Sequence, residues 1–456
     1  YPLRRQRQMC IRDRIMSKKK ADRADRVPFG KLLAWQTRPI SLGAVTIIIG
    51  YLSMYCTDTL GMPAALVGTI LLASKVFDGV TDLFAGWLID NTNTRWGKAR
   101  PYELSILGVW ICTWALFATP YEWSITAKSI WIFIMYTLIF SIFSTLLNAA
   151  ETPYIIRAFG DPIAITKVSA YGGILITIGC MVVSVSFPIM VARAGTSVSG
   201  WRQMMFMYAV PLALIGLLRM FFVKEDKAPD GDKEERVTVK SILAVLKKNK
   251  YVWMLGIACA CPQLVTGMAA ATYYFKVVVG DIGKFSSIQI CSMLVLFVML
   301  VFPALMKKFS GMQLVGMGAA VGIVGYIINF FAGSNMVLLV IGFLLAGISA
   351  LPTSYMRAPI NLQLAEYNES LSLPRMESTM GSAVNFVCKI GQGLGSFIIG
   401  VLLSAASYDG QLAVQPDSAV LMIRLLYSFI PVVFMIIMLL CTKGFMPLDR
   451  MSKQGK

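Results

Sequence analysis

The sequence predicts an all-α polytopic membrane protein of twelve transmembrane helices, set out as two groups of six. Three observations predict it. Of 456 residues, 57% are hydrophobic and 14% charged, with a mean hydropathy of +0.67, well outside the balance of soluble domains. Apolar runs of the roughly 20 residues needed to cross about 30 Å of hydrocarbon recur along the chain. They fall at 39–57, 62–89, 103–119, 126–155, 168–192, 202–223, 251–278, 285–306, 312–333, 336–360, 378–406 and 418–441. One long polar interruption, 224–250, separates six runs from six.

Residues 1–38 form a basic tail that precedes the first span. It carries twelve basic and three acidic groups, half of the net charge of +18, so the excess argues for a membrane surface and against nucleic acid. The opening "YPLRRQRQMCIRDR" has no apolar core, and residues 1–15 read as a non-native extension with Met16 the expected start. The domains that follow are a first six-helix bundle at 39–223, a linker at 224–250, a second bundle at 251–441 and a tail at 442–456. In the linker, Pro229, Gly231 and mixed charge predict a solvated segment, and Val237 to Leu246 a short amphipathic helix on the membrane surface. Lys and Arg placement puts both termini in the cytoplasm of a bacterial inner membrane.

Nine cysteines are scattered without a CxxC pair, and the absence of histidine excludes histidine triads and proton relays. No GxxxxGK[ST] motif is present to power a nucleotide-driven pump, and no cofactor is expected. Any proton or cation chemistry falls to carboxylates.

Charged residues inside the spans carry the functional argument, since each costs roughly 2.5–3.5 kcal/mol at a helix centre. Asp78 and Asp82 are four apart and share one face of span two, with Lys75 close to the same face. Two acids on one stripe repel unless a cation sits between them, so the pair is a candidate site for Na⁺ or H⁺. Glu151 in span four and Lys389 in span eleven add further buried charge. If all five line one cavity, it is one positive charge short, which a coupling cation would supply. The loop "DNTNTRWGKARP", with Asp90, Arg95, Gly97, Lys98 and Arg100, reads as a cytoplasmic gating loop. Arg357 near the inner half of span ten would favour an anionic substrate.

The stretch "GWLIDNTNTRWGKARP", preceded by Asp78 and Asp82, resembles the helix II signature of the glycoside–pentoside–hexuronide:cation symporters, the melibiose-permease-like branch of the major facilitator superfamily. "YCTDTLGMPAALVGTILLASKVFD", "ETPY", "YYFKVVVGD", "AEYNES" and "KIGQGLGSF" agree in order, over about Phe29 to Leu440. The resemblance implies two pseudosymmetric six-helix bundles working by alternating access around a midplane site. It implies that Asp78, Asp82 and Asn148 surround the cation and that Glu151 and Lys389 face the substrate; Thr81, which replaces the family's asparagine between the aspartates, joins the cation candidates, and the charges of Lys75 and Arg357 add them to the substrate candidates. Ser41 and Leu42 stand where the family's first-helix acid would be, Leu147 and Ile155 replace aromatic residues of helix IV, and Lys167 is the nearest match to the basic residue opening helix V. These departures argue against a galactoside.

The expected function is secondary active transport of a glycoside, oligosaccharide or hexuronide together with Na⁺ or H⁺, by a monomer. A lysolipid or other amphiphile carrier of the same fold is the alternative. A membrane-embedded enzyme using Asp82 or Glu151 as acid or base is the remote one, because the chain has no histidine, nucleophile motif or sizeable soluble domain.

Overall fold

The computed structural model describes residues 28–90, 94, 97, 99–159, 162–225, 247–295, 298, 305, 308–371 and 377–454. Among the described residues, a helix lies along each predicted span, the eighth being described only over its first part. The helices are α1 Phe29–Thr59, α2 Ala64–Asp90, α3 Ser105–Phe117, α4 Ile125–Phe159, α5 Pro162–Ala194 and α6 Val198–Phe222. After the linker come α7 Lys250–Val277, α8 Phe285–Cys291, α9 Gly311–Ala332, α10 Met336–Ile348, α11 Glu377–Ala405 and α12 Asp417–Tyr427. Ala350–Tyr355 and Arg357–Ser370 prolong α10, and Phe429–Gln454 prolongs α12. Among the described residues, nine helices are long and apolar enough to cross a bilayer unaided. α3 falls short because its regular part is only 13 residues, entered through a 3₁₀ turn at Arg100–Leu104. The predicted helix at 237–246 lies outside the described residues.

Local chemistry sets several ends. Ser197 accepts from the Gly200 N–H to start α6, and Ser310 and Gln313 form a reciprocal capping box at the start of α9. Asn249 caps α7 and reaches Asn368 Oδ1 at 2.7 Å, tying the start of α7 to the far end of the α10 extension. Two π-helical segments, Tyr55–Thr59 in α1 and Leu138–Ser144 in α4, rotate the residues that follow them, and both lie beside charged clusters described below. α7 breaks at Ala269, which adopts a left-handed backbone (φ 48°) at a cost of about 1–2 kcal/mol.

The seam between the two groups of six is built by α11, which packs along both α2 and α7. Small residues allow the approach: a Cβ at Gly68 of α2 would fall 2.5 Å from the Ser396 carbonyl oxygen, and one at Gly395 would fall 2.0 Å from that of Leu264 in α7. This close packing carries Lys389 of α11 over the acidic face of α2.

Candidate cation and substrate site

Asp78 is buried and Asp82, one turn on, is more open. Lys389 reaches across the seam and pairs with both, its Nζ 3.1 Å from Asp78 Oδ1 and 2.6 Å from Asp82 Oδ2. From α4, the single hydroxyl proton of Thr145 is shared among Asp82 Oδ1 at 2.8 Å, the Phe140 carbonyl at 3.0 Å and Asp78 Oδ1 at 3.3 Å. Lys75 Nζ lies 3.8 Å from Asp78 Oδ2 and 3.8 Å from the centre of the Phe140 ring, in the π-helical part of α4. The aromatic face contributes a cation–π attraction that helps keep this buried ammonium charged. Two carboxylates and a hydroxyl thus form a hard-oxygen set, and an ammonium from the other half of the molecule occupies it.

Several expected neighbours stand elsewhere. Thr81 turns its hydroxyl back to the Asp78 backbone carbonyl at 3.0 Å, an intrahelical bond that takes it off the cation set. Asn148 is exposed one turn beyond Thr145, so the α4 residue on the carboxylates is Thr145. Lys75 is buried against Phe140 and Tyr136, as a partner of Asp78 and not as a wall open to a solute. Glu151 is engaged by Arg38 and by Arg219 Nη1 at 2.7 Å. With Glu151 drawn away, Lys75 and Lys389 balance Asp78 and Asp82, and the expected deficit of one positive charge is corrected to zero.

The cluster that holds Glu151 was not anticipated. Arg38, Glu103 and Arg219 are all buried, with Glu103 3.5 Å from Arg38 Nε and 3.7 Å from Arg219 Nε. The guanidinium of Arg219 lies 3.2 Å from the centre of the Trp35 ring. Two arginines and two glutamates balance, which is how four ionisable groups remain at the ends of four spans. The signal in the sequence was Arg219 within "LIGLLRMFF", an arginine in an apolar run with no acid within a helical turn of it. Ser41 is structural: it donates to the Leu212 carbonyl at 2.8 Å and accepts from Trp110 Nε1 at 2.7 Å.

The loop after α2 is anchored by another missed residue, Glu225. Its carboxylate accepts from the N–H groups of Ala99 and Arg100, each at 3.1 Å, and pairs with Arg157 at 3.3 Å. Gly97 has φ +117°, and a Cβ there would fall 2.1 Å from the Glu225 carboxylate, so glycine is required twice over. Arg100 Nε donates to the Met220 carbonyl at 2.8 Å. Arg95 and Lys98 lie outside the described residues, as do the side chains of Asp90, which ends α2, and Arg357, which opens the last segment of α10.

At the other end of the molecule, Asp58 in the π-helical end of α1 is buried and pairs with Lys276 of α7. It also accepts from Tyr408 at 2.9 Å, while Gln411 donates to its backbone carbonyl at 2.6 Å. Thr57 and Tyr273 hydroxyls meet at 3.2 Å beside it. α1 belongs to the first six helices, and Lys276, Tyr408 and Gln411 to the second six, so this end is closed by contacts across the seam.

Bundled apolar helices that bury carboxylate and ammonium groups on a seam between two halves define a multi-pass membrane carrier. The chain belongs to the family described as MFS/sugar transport protein, whose model matches residues 42–450. It is 26% identical to the isoprimeverose transporter of Lactiplantibacillus pentosus over 410 residues, 85% of this chain and 82% of the relative. It is 26% identical to the glucuronide carrier protein homolog of Escherichia coli (strain K12), covering 85% of each, and 28% identical to that strain's putative sulfoquinovose importer, covering 87% of this chain and 85% of the relative. Among solved structures, a bacterial homolog of the human lysosomal transporter Spinster superposes with a TM-score of 0.68 at 15% identity, over 92% of this chain and 97% of that one. That likeness concerns the fold. Membership of a transporter family sets the membrane-enzyme alternative aside.

Proposed function

We propose that this chain is a symporter that moves a glycoside, oligosaccharide or hexuronide together with Na⁺ or H⁺, by alternating access, across a bacterial inner membrane. The observation that carries the reading is Lys389 bridging Asp78 and Asp82 from the opposite half of the molecule. An ammonium held between two carboxylates marks a place where positive charge is stabilised, and Thr145 completes the oxygen set. With the local charge balanced, a cation reaches the carboxylates by displacing Lys389, and the displaced ammonium becomes free to meet solute. That exchange couples the two ligands: each makes the other's place available. The driving force is about 2.3 kcal/mol per charge per 100 mV.

The Gly97 end is placed in the cytoplasm because basic residues concentrate there. With the Asp58 end closed across the seam, the conformation corresponds to a carrier shut on its outer side. The names of the relatives support the solute class, and both uncharged and anionic sugars fall within it. The test is uptake by energised vesicles across glycosides, uronides and lysolipids, with and without a Na⁺ or pH gradient. Gradient-driven accumulation of a sugar is expected. Accumulation of lysolipids alone would favour the amphiphile carrier, and no cation dependence would remove the symport.

A further inference from the structure

The second half of the molecule contains a cavity of about 300 Å³, lined from α7 by Val265 and Thr266, from α9 by Asn329, from α10 by Phe343, and beyond by Leu426 and Tyr427. That size is at the small end of ligand pockets, enough for a single ring-sized group. Pro262, inside α7, and Ala269, where α7 breaks, both line it on the side that faces α9 and α12.

Two features make it more than a packing defect. Among the described residues, no Asp, Glu, Lys or Arg lines it, so nothing in its wall would offset a charge on an occupant. Five polar side chains line it, Thr266, Tyr326, Asn329, Ser349 and Tyr427; the Thr266 and Ser349 hydroxyls donate back to their own helices, whereas Asn329 and Tyr427 are both buried and neither Asn329 Oδ1 nor the Tyr427 hydroxyl has a hydrogen-bond partner among the described residues. Leaving each such group unmet costs roughly 1–3 kcal/mol, a penalty an apolar side chain would avoid. A Cβ at Gly342 would fall 2.2 Å from Asn329 Oδ1, so glycine at that position is what admits the amide.

Of its lining residues, Thr266 of α7 and Ala350 beyond α10 are exposed and so mark its mouth. Elsewhere α7 and α10 expose large apolar groups such as Trp253, Ile257, Val337 and Ile341.

We propose that this cavity receives the uncharged, hydroxyl-bearing end of the transported glycoside, its aglycone or second ring, with Asn329 and Tyr427 as the polar contacts and Phe343 as an apolar wall. This rests on the transport reading above and names the part of the solute that selects it. The charged seam at Lys389 is separate from it, and α7 stands between the cavity and α11.

The experiment measures binding to the full chain in lipid nanodiscs by ligand-induced thermal shift. The probes are phenol alone, and phenyl and 4-hydroxyphenyl β-glycosides of the same sugar. The added hydroxyl is expected to tighten binding by about 3- to 10-fold, as a net hydrogen bond of about 0.5–1.5 kcal/mol would. Tyr427→Phe and Asn329→Leu should each bring that advantage to within about twofold, and Thr266→Trp at the mouth should abolish phenol binding. An unchanged 4-hydroxyl advantage in both Asn329→Leu and Tyr427→Phe overturns the proposal even if transport stands, and so does phenol binding that Thr266→Trp leaves intact. If phenol binds in an Asn329-dependent way while no glycoside binds or is carried, the cavity stands and the glycoside reading fails. Should Asn329→Leu not fold, Tyr427→Phe, which removes one oxygen, decides alone.

Discussion

At the scale of single residues, the account turns on Thr145, which stands where Asn148 was expected. Its hydroxyl reaches Asp82 Oδ1 at 2.8 Å. Removing it as Thr145→Val should raise the half-saturating cation concentration for uptake by about 3- to 10-fold, with Thr145→Ser close to wild type. Equal cation affinity in all three would remove Thr145 from the site. Glu103 and Arg219 make a separate prediction about stability. Arg219→Gln leaves Glu103 and Glu151 to share Arg38 alone, and loss of one partner from a buried ionic cluster costs up to about 3–5 kcal/mol, which thermal unfolding in detergent would read as a large fall in midpoint. Adding Glu103→Gln to that variant should recover part of the loss, and a strictly additive double variant would deny the pairing.

The helices were legible because an apolar run of 20 residues has few alternatives, and Asp78, Asp82 and Lys389 were legible because ionisable groups inside such runs are costly. Their partners were not. Spacing along α4 places Asn148 and Glu151 on nearby faces, but the π-helical segment at Leu138–Ser144 sets which turn meets α2, and sequence periodicity does not show a π-helix. Glu225 and Asp58 escaped notice for a similar reason. Their partners arrive from distant elements, and each reads in sequence as an ordinary acid at a span's end. At this scale the loop after α2 offers a test. Gly97→Ala adds a Cβ into the Glu225 carboxylate and strains φ +117°, so transport should fall at least several-fold, whereas alanine at Gly30, where nothing lies within 4 Å, should be neutral. Transport by Gly97→Ala equal to wild type would show that the loop does not need its close seat on Glu225.

For the whole molecule, the two halves meet through α2 and α11 in the middle and through Asp58 at one end. Opening that end requires Asp58 to leave Lys276, Tyr408 and Gln411 together. Weakening the closure by Lys276→Ala should therefore shift the population towards the state open on that side. Cys56, buried next to this cluster, reports it: a membrane-impermeant maleimide added outside should label Cys56 several-fold faster in Lys276→Ala than in wild type. Labelling at the same slow rate would mean that other contacts hold this end shut.

The central claim is that Asp78 and Asp82 couple cation to solute, and separating exchange from accumulation in vesicles tests it most directly. With a solute identified, wild type should both exchange it across the membrane and concentrate it when a cation gradient is imposed. Asp78→Asn and Asp82→Asn should retain measurable exchange yet lose gradient-driven accumulation. Accumulation by either variant at the wild-type level, with the wild-type cation dependence, would contradict the account.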